Sequence, residues 1–313
     1  MNRKAIISIF KRNLGAYFGS PSGYLFICAF LLACGFAAFW TQEFFNANRA
    51  NLDQLNKLLP HILLGFIPAI TMSIWADERR QGTDELLLTL PGSDLDVVLG
   101  KYLGALAIFA AALVLSFISN AIVLNSLGEP DLGHLFANYV GNGFVGLAML
   151  AIGMVASFLT ANLTVAFVLG VAFNSPLVLL SDSKWGIVEN YRDFAQGVIS
   201  LSSIVFFLSL TIAMIYLCAI LIGRRNWMGN QNSSRRIAHF TIRMVAALVI
   251  GGAATFFFRN HDVVRIDATA KELSKLSTGS IDLLDEVNGT VTIEAYVSPE
   301  EDFPQEYEQS RIN

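Results

Sequence analysis

Seven apolar stretches recur along this chain, at positions 24–40, 58–75, 102–124, 139–158, 163–180, 200–222 and 244–258. Crossing about 30 Å of hydrocarbon takes roughly 20 mostly apolar residues as a helix. Lipid offers the backbone no hydrogen-bond partners, so a spanning segment must satisfy its own, as a helix does. The pattern therefore predicts an all-α polytopic membrane protein, with six principal spans and a short seventh. That seventh stretch can be extended by Ile242 and by His239 and Phe240, while Arg243 snorkels toward water. A content of 54% hydrophobic and 15% charged residues excludes an ordinary soluble domain.

The basic residues set an orientation. With the N-terminus cytoplasmic, Arg3, Lys4, Lys11, Arg12, Arg79, Arg80, Lys101, Arg224, Arg225, Arg235, Arg236 and Arg243 fall inside. Only Arg49, Lys57, Lys184, Arg192 and Arg259 fall outside, a positive-inside bias that places everything after Arg259 on the exterior. Residues 1–259 carry 17 Lys/Arg against 13 Asp/Glu, whereas residues 260–313 carry 4 against 12. This shift marks a boundary between a membrane part and an acidic, solvated segment, and gives no support to nucleic-acid binding. The expected divisions are 1–230 for the six-span domain, 231–260 for a basic linker and seventh span, and 261–313 for the start of an exterior α/β domain, incomplete in this chain.

Between the spans several shorter elements are legible. Residues 3–18 place Ile6, Ile9, Phe10, Leu14 and Tyr17 at helical spacing, as in a helix lying on the membrane surface. Gly19, Ser20 and Pro21 then turn the chain into the first span. Pro60 and Pro68 sit in the second span, where proline removes a backbone donor and commonly kinks a helix. Thr160, Ala161 and Asn162 form a tight turn that makes the fourth and fifth spans antiparallel neighbours. Residues 181–197 mix Trp185, Tyr191 and Phe194 with charges, which suits a helix dipping into the interface. Residues 223–236 read as a basic linker. Beyond the seventh span, 263–267 and 291–297 read as strands, 280–287 as a short helix, and Asn288 with Gly289 as a turn.

The segment 77–101 carries the functional signal. Gly82 ends the second span, and Thr83 is placed to cap a short helix that opens with Asp84 and Glu85, acids that suit the positive end of the helix dipole. Leu86, Leu87, Leu88 and Leu90 follow, and Pro91 with Gly92 closes the element. Four leucines have no use in a plain aqueous loop; a soluble partner or the lipid surface must cover them. Ser93 then caps a helix running into the third span, where Gly100 and Gly104 form a small-xxx-small pair suited to close packing.

The string Glu78-Arg79-Arg80-Gln81-Gly82-Thr83-Asp84-Glu85-Leu86-Leu87, followed by Leu90-Pro91 and Leu99-Gly100-Lys101, resembles the loop after span two of type-two ABC permeases. The gliding-motility-type permeases look nearest, and the resemblance covers about residues 1–225. It implies that 83–90 is the coupling helix received by a cytosolic ABC ATPase, with Glu78, Gly82, Thr83, Asp84, Glu85, Leu86, Leu87, Leu88, Leu90 and Pro91 as the ATPase-coupling residues. It further implies that 3–18 is the elbow helix, that 181–197 lies in the exterior gate region, and that a second permease half completes the transporter. The strings Val264-Arg265-Ile266-Asp267, Leu273-Ser274-Lys275-Leu276-Ser277 and Val291-Thr292-Ile293-Glu294-Ala295-Tyr296 are similar to the start of the auxiliary subunit that accompanies such permeases.

Absences narrow the function further. A phosphate-cradling loop needs glycine where Leu95 stands and Ser or Thr where Tyr102 follows Lys101, so the chain does not bind ATP by that route. No Asp or Glu lies within the six principal spans, unlike a proton-coupled carrier. His61, His134, His239 and His261 are scattered without metal-ligand spacing, and Cys28, Cys34 and Cys218 all lie in apolar spans. Asn120, Asn142, Asn162 and Asn174 either line a polar path or bond across helices. The expectation is a non-enzymatic, export-type permease subunit in lipid, in a bacterial plasma (inner) membrane. It binds no cofactor itself; ATP and Mg reside on the partner ATPase. A non-transporting scaffold for motility or envelope machinery is the alternative, and a passive channel a weaker third. The resembling permeases handle lipids, polysaccharides and drugs, and no residue here selects among them.

Overall fold

The computed structural model describes residues 2–40, 44, 50–84, 93–179, 186–226, 233–261 and 265–269. The helices are α1 (Arg3–Phe18), α2 (Pro21–Phe39), α3 (Asp53–Thr71), α4 (Ser73–Gln81), α5 (Asp94–Leu127), α6 (Leu132–Phe158), α7 (Leu163–Leu179), α8 (Ile187–Ala195), α9 (Leu201–Asn226) and α10 (Ser233–His261). Two short strands, β1 (Val198–Ser200) and β2 (Arg265–Asp267), complete the described elements. All of them belong to one unit, Met1–Ser274.

Among the described residues, five stretches are long and apolar enough to cross a membrane: Asp53–Gln81, Asp94–Leu127, Leu132–Phe158, Leu201–Gly223 and Ala238–Phe258. The axes of α1 and α2 meet at 74°, and together they make a sixth span if the bent pair is taken as one. Shorter than these, α7 is a 17-residue apolar helix. The architecture is that of an all-α polytopic membrane protein.

Local sequence sets the helix starts. Asn2 accepts a hydrogen bond from the backbone of Ala5 at the head of α1, and Pro21 occupies the first turn of α2, where its missing donor costs nothing. Asp131 accepts from Gly133 and His134 N–H at 3.0 Å to begin α6. Asn162 does the same for α7, accepting from Thr164 at 2.9 Å and Val165 at 3.3 Å.

The centre of the bundle is α6. In its most apolar window 78% of residues are buried, against 11% for the last helix. Its glycines admit neighbours closely: a Cβ on Gly141, Gly146 or Gly153 would overlap Phe194 of α8, Phe109 of α5 or Thr71 of α3. Apolar side chains gain little from leaving lipid, so such close backbone approach supplies much of the packing energy.

Both prolines of the second span lie inside α3, and the helix is interrupted at Met72, between α3 and α4. The basic linker is shorter than 223–236, because α9 continues to Asn226 and α10 begins at Ser233. Of the segment expected to begin an exterior α/β domain, 265–267 is a strand; the positions 280–297 lie outside the described residues.

Candidate functional site

The residues flanking 85–92 converge at the bundle end that carries Arg12, Arg79 and Lys101, termed here the basic end. Gly82 ends α4 in the left-handed region, with φ 69°, a conformation open to glycine without a Cβ clash. Its N–H donates to Arg79 O at 3.2 Å, and the Thr83 N–H donates to Glu78 O at 3.0 Å. This is the Schellman pattern, which satisfies the last carbonyls of a helix. The Thr83 hydroxyl also donates back to Glu78 O, at 3.4 Å, so both of its described donors serve the preceding helix. Asp84 is buried, with Oδ2 3.8 Å from Arg79 Nε, and the Arg79 guanidinium lies 4.1 Å from the centre of the Phe158 ring.

On the far side of the segment, Ser93 and Asp96 form a capping box. Ser93 Oγ accepts from the Asp96 N–H at 3.3 Å, and Asp96 Oδ2 accepts from the Ser93 N–H at 3.0 Å. The same carboxylate oxygen accepts from the Asn2 N–H at 3.1 Å, which ties the head of α1 to the head of α5. Both flanks of 85–92 are thus fixed to helices by several bonds each. Of the expected coupling residues, Glu85, Leu86, Leu87, Leu88, Leu90 and Pro91 lie outside the described residues; Glu78, Gly82, Thr83 and Asp84 lie at this junction.

A buried ion pair joins the two flanks. Lys101, about two turns inside α5 and only 2% exposed, donates to Glu78 Oε2 at 2.6 Å and to Ile74 O at 2.6 Å. Its ammonium also sits 4.4 Å from the Trp75 ring centre. The other Glu78 oxygen accepts from Arg12 of α1 at 2.5 Å. One carboxylate therefore links α1, α4 and α5. Pairing of this kind is what allows a charge to sit so deep.

Gly100 and Gly104 bring α1 against α5. A Cβ on Gly100 would come 2.8 Å from Ile9 Cβ, and one on Gly104 would come 3.0 Å from Asn13 Cβ. The glycine stripe therefore receives α1. Between α1, α4 and α5 lies a cavity of about 260 Å³, whose polar lining includes Arg12, Asn13, Tyr17, Ser73, Asp77 and Glu78. Tyr17 donates to Ile70 O and lies 2.7 Å from Ser73 Oγ.

The break at Met72 is built by α6. Ser157 Oγ donates to Met72 O at 2.8 Å and accepts from the N–H groups of Trp75 at 3.1 Å and Ala76 at 3.2 Å. The inserted hydroxyl replaces the helical partner that Ala76 N–H and Met72 O would otherwise be for each other, which is one way a helix is interrupted without orphaned groups. The sequence reading passed over this role. Nothing local distinguishes Ser157 from any other serine in an apolar helix. For Lys101 a signal existed: a lone cation one turn inside an apolar run needs a partner.

At the opposite end several asparagines and tyrosines bond to one another and to neighbouring hydroxyls. Asn120 donates to Tyr139 Oη at 2.8 Å and to Ser116 Oγ at 3.3 Å, and Tyr191 donates to Asn56 Oδ1 at 2.9 Å. Asn174 bonds within its own helix, to Gly170 O at 2.9 Å. Among the asparagines singled out in the sequence, Asn120 bonds across helices and Asn162 caps one. Among the described residues no group of His, Cys, Asp and Glu is arranged to hold a metal.

Residues 23–225 match the family model described as ABC-2 family transporter protein. No curated protein matches the chain.

Proposed function

The chain belongs to the ABC-2 transporter family and is a membrane permease subunit of an ABC transporter, and from that premise we propose that segment 83–90 is its point of drive. A separate cytosolic ATPase binds this segment, holds the ATP and Mg, and supplies the energy. The basic end faces the cytoplasm of a bacterium, the chain pairs with a second permease half, and transport runs outward. The gliding-motility-type permeases remain the nearest resemblance, and the substrate is left open.

One observation carries this reading: both flanks of 85–92 are tied to helices that a single carboxylate joins. A push on the segment would reach α4 through Gly82, Thr83 and the Arg79–Asp84 pair, and α5 through the Ser93–Asp96 box. The Glu78 bridge to Lys101 and Arg12 keeps α1, α4 and α5 moving together. A coupling device needs such stiffness, because a compliant joint would absorb the displacement before it reached the spans.

The test is direct. Leu87→Asp places a charge where the ATPase groove would receive an apolar side chain. We expect co-purification of the ATPase and its stimulated turnover to be lost while the permease still inserts. Unchanged association and unchanged stimulation would reject the docking role.

A further inference from the structure

We infer that a notch at the non-basic end of the bundle is a docking surface for this chain's own segment 265–269, which acts there as a releasable latch. The inference rests on the permease reading, which makes this end the exterior one and makes its opening part of transport.

The notch is formed by the start of α6 and the joint between α8 and α9. Gly197 ends α8 with φ +84°, and β1 leads from it straight into α9. Segment 265–269 fills the notch. Strand β2 pairs antiparallel with β1, matching Val198 with Asp267, Ile199 with Ile266 and Ser200 with Arg265. The ladder is extended by the Ala268 N–H, which donates to Gly197 O at 3.0 Å. Two glycines make the room. A Cβ on Gly197 would lie 2.6 Å from Thr269 Cγ2 and 2.8 Å from His134 Nδ1, and a Cβ on Gly133 would overlap Ala268 O. Thr269 is buried as a result, and Asp267 Oδ1 accepts from its N–H at 2.9 Å and its hydroxyl at 2.6 Å. Arg265 reaches back to Asp193 of α8 at 3.0 Å.

The docked segment ties together parts that would otherwise move separately. It follows α10, which packs along α9 with Gly251 close against Ser209. While it is seated, the head of α6, the α8–β1 joint and the end of α10 form one piece. The attachment is nonetheless slight. A two-stranded ladder of three residues is marginal in water, Ile266 is 57% exposed, and the Arg265–Asp193 pair is open to solvent and to screening. These properties belong to a contact that can part when the gate opens and close again afterwards.

The experiment pairs Ile199→Cys with Ile266→Cys in a Cys28→Ser background. Directly facing residues of an antiparallel pair have Cα atoms about 4.5–5.5 Å apart, within disulfide range. A protease site inserted at 227–232 then separates the two halves unless they are cross-linked. We expect oxidation to hold the fragments together until reductant is added. We also expect oxidation of the uncut permease–ATPase complex in vesicles to lower ATP turnover several-fold, with recovery on reduction. Adding Gly133→Val, which fills the notch without touching either strand, should abolish both effects. Failure to cross-link, or cross-linking with unchanged turnover, would overturn the latch. If the unmodified chain neither binds nor stimulates an ATPase, the proposed drive fails. The latch is then judged by amide hydrogen exchange in Val198–Ser200, which should be slower in the cross-linked chain than in the reduced one; equal exchange would overturn it.

Discussion

At the basic end of the bundle, neighbouring helices are joined by buried charge; at the opposite end they are joined by backbone bonds, neutral side chains and a solvent-exposed ion pair. Lys101 is enclosed and bonded to Glu78 and to Ile74 O, both at 2.6 Å. The latch strand instead leaves Arg265 and Ile266 exposed. A buried charge that loses its partner is left in a poor solvent, so breaking such a pair is expensive. An exposed strand that detaches exchanges its bonds for water at small net cost. One end is thus built to transmit displacement and the other to undergo it.

The largest effect should come from the buried pair. Lys101→Met removes the cation and leaves the Glu78 carboxylate beside Ile74 O with Arg12 as its remaining cation; the loss expected is at most the roughly 3 kcal/mol of a broken buried pair. A fall in thermal stability in detergent would show it, and Glu78→Gln added to Lys101→Met should recover much of the fall. If the single substitution leaves the melting curve unchanged, the basic end is not stiffened by this pair.

Next in size is Gly100→Leu, which drives a side chain into Ile9 and Ile6 of α1. Overpacking of a tight contact costs about 1–3 kcal/mol. The sharper readout is position: a cysteine in place of Asn13, which packs near Gly104, should become faster to label as α1 lifts. Unaltered labelling would mean that α1 does not depend on the glycine stripe. The smallest effect belongs to the latch rim. Arg265→Gln removes an exposed ion pair and should change stability by less than about 1 kcal/mol. A loss as large as that of Lys101→Met would erase the contrast between the two ends.

The sequence reading reached different depths in the two regions. Near the basic end it located Gly82, Ser93, Gly100 and Gly104, because helix ends and small-residue stripes are written in a few adjacent positions. It placed Glu78 and Lys101 in the string that resembles the permease loop and counted Lys101 as a marker of orientation, without pairing the two. Their bond across 23 residues is a matter of helix packing. Opposite, 263–267 read as a strand by composition, while its partner 198–200 lay in a stretch assigned to a span boundary. A strand of three residues carries too little periodicity to announce itself, and its pairing register is fixed only where Gly133 and Gly197 leave space.

What the amino-acid order alone determined is the class of fold and the sites of its helix caps. Burial of a 20-residue run in hydrocarbon sums over neighbours in sequence, and a cap needs only a side chain and a backbone amide two or three positions away. Tertiary structure alone decided which charges meet, where Ser157 interrupts a helix 82 residues earlier, and what the chain beyond the last span rests upon. Those outcomes depend on distances between helices, which arise from the packing of all of them together and are encoded in no single stretch.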